Sequence, residues 1–237
     1  MIVGLLHPGE MGAAVGAALR RNGHDVVWVS EGRSDATRAR AAGFRDAGTL
    51  PALLGEAEVV LSICPPHAAL DIARACDGFG GLYVDANAIS PARAREVAAL
   101  HSRFVDGGIV GGPPVEPGTT LYLTGAEAGT VAALFEGSVL AVREVADASA
   151  LKMAYAAWSK GTAALLLAIR DVAAFHGVEH DWRLAAPELQ ERLAAAERSA
   201  ARKGWRWIGE MEEIADTFEA AGAPGGFHRA AADVFRS

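Results

Sequence analysis

Cysteine is scarce in this 237-residue chain: Cys64 and Cys76 are the only two. They exclude a disulfide framework, and no zinc-ligand spacing accompanies them, so we expect a reducing compartment and no metal site. Lysine is scarcer still relative to need. Of 22 basic residues only Lys152, Lys160 and Lys203 are lysines, so each one stands out against arginine as the default cation. Positive charge never clusters, and 29 acidic residues leave a net charge of −7. That argues against sequence-independent nucleic-acid binding, which needs clustered cations against phosphates. Long apolar runs are missing too. The longest is Ala163–Ile169, far short of the roughly 20 residues a bilayer span requires, and no membrane association is expected. The start, Met1-Ile2-Val3-Gly4-Leu5-Leu6, has no basic region of the kind that opens a signal peptide. The expected location is therefore cytoplasmic.

What is present is alternation. Short apolar runs at Ile2–Leu6, Val26–Val29, Ala57–Ile63, Gly81–Asp85 and Phe104–Asp106 predict strands. Amphipathic stretches at Met11–Arg21, Asp35–Ala42, Ala68–Ala75 and Ala92–Leu100 predict the helices between them. Ser90-Pro91 supplies an N-cap and a proline at the first helical position for the last of these. Strands alternating with helices imply βαβ units and a parallel sheet. Gly107-Gly108 and Gly111-Gly112-Pro113-Pro114 predict irregular backbone at the carboxyl edge of that sheet. Thr119–Leu123 and Val139–Val145, around a helix Ala126–Phe135, extend it. After Asp147 the chain changes character: Ala148 to Gly177 predicts one long proline-free helix, and residues 181 to 236 further helices broken at Ala223-Pro224-Gly225-Gly226. The expected fold is α/β: a Rossmann-type doubly wound sheet over residues 1–146, followed by an all-helical domain over 147–237.

The turn after the first strand reads His7-Pro8-Gly9-Glu10-Met11-Gly12. Gly9 and Gly12 match the second and third glycines of a dinucleotide-binding G-x-G-x-x-G turn, and His7 stands in the place of the first. The second glycine allows close approach of the backbone to a pyrophosphate, and the helix N-terminus offers N–H donors to it. Where a ribose-binding acid would follow the second strand, the chain has Ser30-Glu31-Gly32-Arg33-Ser34. Ser30 occupies the acidic position, while the Arg33 fork and the Ser34 hydroxyl suit a dianionic phosphate. NADP is favoured over NAD on this reading; Glu31, able to bond a ribose hydroxyl, is the contrary feature.

These residues, with Cys64-Pro65-Pro66, Val84-Asp85-Ala86-Asn87-Ala88-Ile89-Ser90-Pro91, Gly111-Gly112 and Lys152 in that order, resemble the β-hydroxyacid dehydrogenase and 6-phosphogluconate dehydrogenase superfamily. Trp205–Ile214 and Gly226-Phe227-His228-Arg229 resemble the uncharacterised C-terminal domain of a bacterial, phosphogluconate-dehydrogenase-like branch. The resemblance implies NAD(P) on the first domain, a helical domain for substrate and homodimerisation, and acid/base catalysis by Lys152 at a carbon next to a carboxylate or related group. It also implies that Pro65-Pro66 forms a wall beside the nicotinamide. There are departures. Val110 replaces the serine of the family's Ser-Gly-Gly substrate loop, Tyr155 stands where an asparagine is usual, and Ser159 replaces the glutamate of phosphogluconate chemistry.

On a regular helix Lys152, Tyr155 and Ser159 share one face. Apolar neighbours would desolvate Lys152 and lower its pKa toward the range useful for proton transfer. Asn87, beyond a strand end, is a candidate for holding the nicotinamide ribose or the substrate, and equally a turn residue. Gly111, Gly112, Ser159, Trp207 and His228 are candidate substrate residues. Three functions compete: an NADP-dependent dehydrogenase acting on a small hydroxy acid or carbonyl through Lys152; an imine reductase with Tyr155 as proton donor; and a non-catalytic NADP-binding or sensing protein.

Overall fold

A computed structural model describes residues 1–236. The chain divides into two compact units, Met1–Lys152 and Met153–Ser237.

The first unit is built on an eight-stranded sheet: β1 (Ile2–Leu5), β2 (Asp25–Trp28), β3 (Arg45–Asp46), β4 (Val59–Ser62), β5 (Leu82–Asp85), β6 (Phe104–Val110), β7 (Thr119–Thr124) and β8 (Leu140–Glu144). Their spatial order is β3-β2-β1-β4-β5-β6-β7-β8. Every pairing is parallel except β6 with β7. Between the strands run α1 (Glu10–Arg21), α2 (Asp35–Arg40), α3 (Leu50–Glu56), α4 (Ala69–Ala75), α5 (Pro91–Ala98) and α6 (Ala128–Ala133). Successive side chains of a strand face opposite ways, and here both faces are covered. Val3, Leu5, Leu61 and Val84 pack with Val15 and Leu19 of α1. Val27, Val60 and Tyr83 pack on the other face with Leu53 of α3 and Val97 of α5. Truncating one of the fully buried leucines, Leu19 or Leu53, to alanine costs about 2–5 kcal/mol. Chain order reverses between β1 and β4. Their carboxyl ends mark the switch point, where open α/β sheets bind ligands.

Two elements are added to those expected in this unit, and one expectation is corrected. β3 and α3 arise in a stretch that offers no clear periodicity; α3 docks where Gly4 leaves room, since a Cβ there would lie 2.6 Å from Leu53. Gly107 and Gly108 are not loop residues but the middle of β6. They are glycine because neighbours come too close: a Cβ would stand 2.8 Å from the Asp85 carbonyl oxygen at Gly107, and 2.7 Å from the Ala148 carbonyl oxygen at Gly108.

The helix after β8 is not regular either. It runs as α7 (Ala148–Ala156), a π-helical turn Ala157–Gly161, and α8 (Thr162–Phe175). Ser159 Oγ donates to the Tyr155 carbonyl, and the Thr162 hydroxyl to that of Trp158. Such back-bonding competes with the regular ladder and loosens it. The second unit continues with α9 (Glu179–Ala185), a 3-10 turn Pro187–Leu189, the 31-residue α10 (Gln190–Ala220) and α11 (Gly226–Val234). Leu166 and Leu167 of α8 pack with Leu193 and Ala196 of α10, beside Val234 and Phe235. No helix among the described residues is long and apolar enough to cross a membrane.

Candidate active site

The glycine turn sits at the carboxyl end of β1, beside the switch point. Gly9 N donates to the His7 carbonyl (2.8 Å), and that carbonyl lies so close to Gly12 that a Cβ there would be 2.1 Å from it. Gly12 is thus required for α1 to start directly under the turn. A Cβ on Gly9, by contrast, would meet nothing within 4 Å. Gly9 is the N-cap of α1 and makes no side-chain cap, so the first N–H groups of this helix face the open side of the turn. Pro8 is buried and Glu10 exposed, with Met11 packed against the core. This is the cradle an anionic pyrophosphate needs.

The turn after β2 folds back over it. Gly32 takes φ +68°, a conformation that favours glycine. Arg33 Nη2 donates to the Leu6 carbonyl (3.1 Å), so the guanidinium lies against the glycine turn rather than in solvent. Its Nε is buried with no protein partner, and so is Nδ1 of His7. Burial, helped by the adjacent Arg33 charge, depresses the His7 pKa to about 4. Two further residues shape this turn. Asp46 of β3 accepts from the Ser30 and Gly48 backbone N–H groups, and Arg38 of α2 donates to the Ser30 and Arg33 carbonyls. Sequence reasoning missed both, since nothing marks them until α2 and β3 are placed. Ser34, expected to offer its hydroxyl to a phosphate, instead accepts from Thr37 N as the N-cap of α2.

Asn87, a candidate for the cofactor or substrate and equally a turn residue, bonds within the protein. Its side chain is buried and fully committed: Nδ2 donates to Ser62 Oγ (3.1 Å) and Asp85 Oδ2 (2.8 Å), while Oδ1 accepts from Cys64 N. Its backbone N–H donates to Asp85 Oδ1 (2.9 Å). The amide ties the end of β5 to the end of β4 and fixes the Cys64-Pro65-Pro66 segment, where Pro66 opens a 3-10 turn. Burial raises the Asp85 carboxyl to about 7 against the pull of the Asn87 hydrogen bonds, with Asp106 across the β5–β6 pair pushing the same way. Burial also raises the Cys64 thiol to about 12, so it stays protonated and is no nucleophile.

Asp106 anchors the start of α7: it accepts from Ser149 N (2.8 Å) and Ser149 Oγ (2.7 Å). One turn on, Lys152 Nζ donates to the Ile109 carbonyl (2.7 Å) at the carboxyl end of β6. Desolvation lowers its pKa to about 8. Gly108 makes this possible, since a Cβ there would sit 2.9 Å from that of Lys152. Val110 ends β6. Gly111 follows at φ +120°, and the Gly112 carbonyl accepts from Thr119 Oγ1. The glycine turn, the Cys64–Pro66 segment and Lys152 thus all lie at carboxyl ends of the parallel strands.

The remaining candidates belong to the second unit. Tyr155 is half-exposed on the last turn of α7. Ser159 lies in the π-helical turn, so the regular spacing that put it on the face of Lys152 and Tyr155 does not hold. Ser159 and Trp207 line one groove of about 460 Å³ with Trp158, Lys160 and Arg192. Lys160 is engaged by Glu210. His228 does not reach outward. It is buried between Phe218 and Phe227, against Gly161.

Residues 176–237 match a domain of unknown function, DUF1932. The chain is similar along its whole length to a conserved protein of unknown function whose structure resembles 3-hydroxyacid dehydrogenases (27% identity, 96% of that chain, TM-score 0.72). A Mycobacterium tuberculosis 3-hydroxyisobutyrate dehydrogenase, solved with L-serine, shares the fold at 18% identity over 99% of this chain and 92% of its own (TM-score 0.72). So does a reductive aminase from Aspergillus terreus, solved with NADPH and ethyl levulinate (18% identity, 99% and 92%, TM-score 0.60).

Proposed function

We propose that this chain, which belongs to the β-hydroxyacid dehydrogenase-like superfamily and ends in a DUF1932 domain, is an NADP-dependent oxidoreductase acting on a small hydroxy acid or carbonyl compound. The observation that carries the reading is Lys152. It is one of only three lysines, held on the Ile109 carbonyl at the carboxyl end of β6, on the same sheet edge as an open, uncapped glycine turn. The residues fit a dinucleotide: Gly9 leaves room for phosphate, the α1 N-terminus offers donors, and Arg33 lies beside them with an unpartnered Nε. Arg33 with Ser30, in place of an acid, favours NADP over NAD.

When bound, the dinucleotide supplies or accepts the hydride. The chain's own part is the proton. In reduction, the Lys152 ammonium donates it to the substrate oxygen as the carbon accepts hydride, leaving an alcohol; in oxidation the neutral amine takes it back. A lysine titrating at about 8 serves both directions near neutral pH. The Asp106–Ser149 anchor holds the helix that carries it.

A second reading has one observation behind it: a reductive aminase shares the fold, and Tyr155 is half-exposed. There the substrate is an imine and the Tyr155 hydroxyl gives the proton. The two separate in one experiment, NADPH consumption over a panel of small carbonyls and imines. Lys152→Met abolishes turnover on the first reading and Tyr155→Phe on the second, with NADPH affinity retained in both. Retained NADPH binding with no turnover of any panel member by the unmodified protein favours the non-catalytic, sensing role. A homodimer formed through the helical unit is part of the proposal, consistent with the exposed Phe175, Val172 and Leu184.

A further inference from the structure

The glycine turn departs from a regular one at a single place, and that place carries a titratable ring. His7 and Arg33 each present a buried nitrogen, Nδ1 and Nε, that no protein atom satisfies. Buried polar atoms are nearly always partnered, so two orphans side by side call for an explanation. Both flank the turn whose Gly9 face is open and whose helix has no side-chain cap. An anion bound on that face would bring negative charge close to both groups, and such a charge favours the imidazolium form of His7, in which both ring nitrogens are donors.

We infer that His7 is a proton-linked ligand of the cofactor pyrophosphate, taking up a proton as the dinucleotide binds. The inference rests on the cofactor reading above and gives the residue at the first glycine position a role of its own. Without ligand, the groups facing His7 all keep it neutral or leave it so. Arg33 repels a second positive charge, the Cys64 thiol is protonated, and burial disfavours the ion. The α1 N-terminus adds its own positive end. Glu10, on the first turn of α1, is exposed, and Asp85 is committed to Asn87. A pyrophosphate reverses the balance by adding negative charge where there was only positive. Binding then couples to protonation: affinity weakens as pH rises, by up to about tenfold per unit while the free ring is neutral and the bound ring charged.

Calorimetric titration tests this. NADPH and NADH are each titrated at pH 6 in two buffers of different ionisation heat, into the unmodified protein, His7→Gln and His7→Gly. The buffer dependence gives the protons exchanged. The unmodified protein is expected to take up close to one proton more per bound nucleotide than either variant. Comparison with the variants cancels the titration of the 2′-phosphate of NADPH itself. The second variant restores the regular glycine and keeps the test open if the first misfolds. Equal uptake by protein and variants overturns the inference and leaves the cofactor reading standing. Uptake seen with NADPH alone also overturns it, because the proton would then belong to the 2′-phosphate site. Binding of neither nucleotide removes the cofactor reading and this inference with it.

Discussion

The two units differ in what their buried polar groups join and in the large side chains they leave in solvent. In the first, polar side chains are drawn inside to hold strand ends together: Asp85, Asn87 and Ser62 close one buried network, and Asp106 with Ser149 another. In the second, Glu213 is buried and Lys160 pairs with Glu210, while acids pair with arginines at the surface as they do in the first, Glu219 and Asp216 with Arg229. Large apolar side chains there stand in solvent, with Phe175 at 86%, Leu184 at 67%, Trp158 at 62% and Trp205 at 61% exposure. A sheet edge braced by buried polar clamps is a rigid frame for ligand chemistry. A helical surface rich in exposed aromatics calls for a covering partner. The proposed cofactor site accordingly draws on the first unit, and the proposed dimer on the second.

The comparison breaks if chemistry does not depend on the first unit. Lys152→Met is expected to lower turnover by about 10²–10⁴-fold, with NADPH affinity within about threefold. The pH profile adds a sign. Reduction needs the ammonium, so its rate falls as pH rises through about 8, and oxidation rises there. Steady-state rates in both directions check this.

The buried clamps come next. Asn87→Ala removes the Nδ2 bonds to Ser62 and Asp85 and leaves the Cys64 N–H without its acceptor, while the backbone bond to Asp85 stays, a loss of about 3 kcal/mol in urea denaturation. Trp205→Ser, on an exposed site of the second unit, should stay within about 0.5 kcal/mol. Comparable losses would erase the contrast between the units.

Asp85 sharpens it through pH. Its carboxyl is raised from 3.8 to about 7 in the folded chain. The folded state therefore holds a proton that the unfolded state has released, and stability contributed by this group falls as pH rises from about 4 to about 7. Asp106 is raised in the same direction. Denaturation midpoints across that window should fall with pH, and Asp85→Asn should flatten the slope. A smaller effect is expected at the exposed helical surface: on the proposed dimer, Phe175→Glu weakens self-association by about tenfold or more in sedimentation, leaving the monomer folded.

Much of the fold was legible because it rests on periodicity. Strands β1, β2, β4 and β5 are apolar runs flanked by glycine or polar turns, and Ser90-Pro91 marks the start of α5 by capping chemistry alone. β3 and α3 were not legible. A two-residue strand has no period, and α3 is specified by the space above Gly4, a tertiary fact. Gly107-Gly108 misled for a related reason: a glycine that admits a neighbour looks, in sequence, like a glycine that makes a turn. The π-helical turn depends on hydroxyls bonding backward along the helix, which the 3.6-residue period does not register. At the candidate site, the sequence singled out Gly9, Gly12 and Lys152 by chemistry that is local, a turn pattern and a scarce residue type. The surroundings of Asn87 and His228 were not legible, because they are set by tertiary contacts, a buried acid in one case and two phenylalanines in the other.

The central claim is that the β1 turn binds a dinucleotide with Arg33 reading its phosphate. Fluorescence titration with NADPH and NADH, on the unmodified protein and on Arg33→Ala, tests it most directly. The account predicts that NADPH binds more tightly than NADH, and that Arg33→Ala weakens NADPH by about ten- to hundredfold and NADH by less. Equal affinities for the two nucleotides, untouched by the substitution, would contradict it.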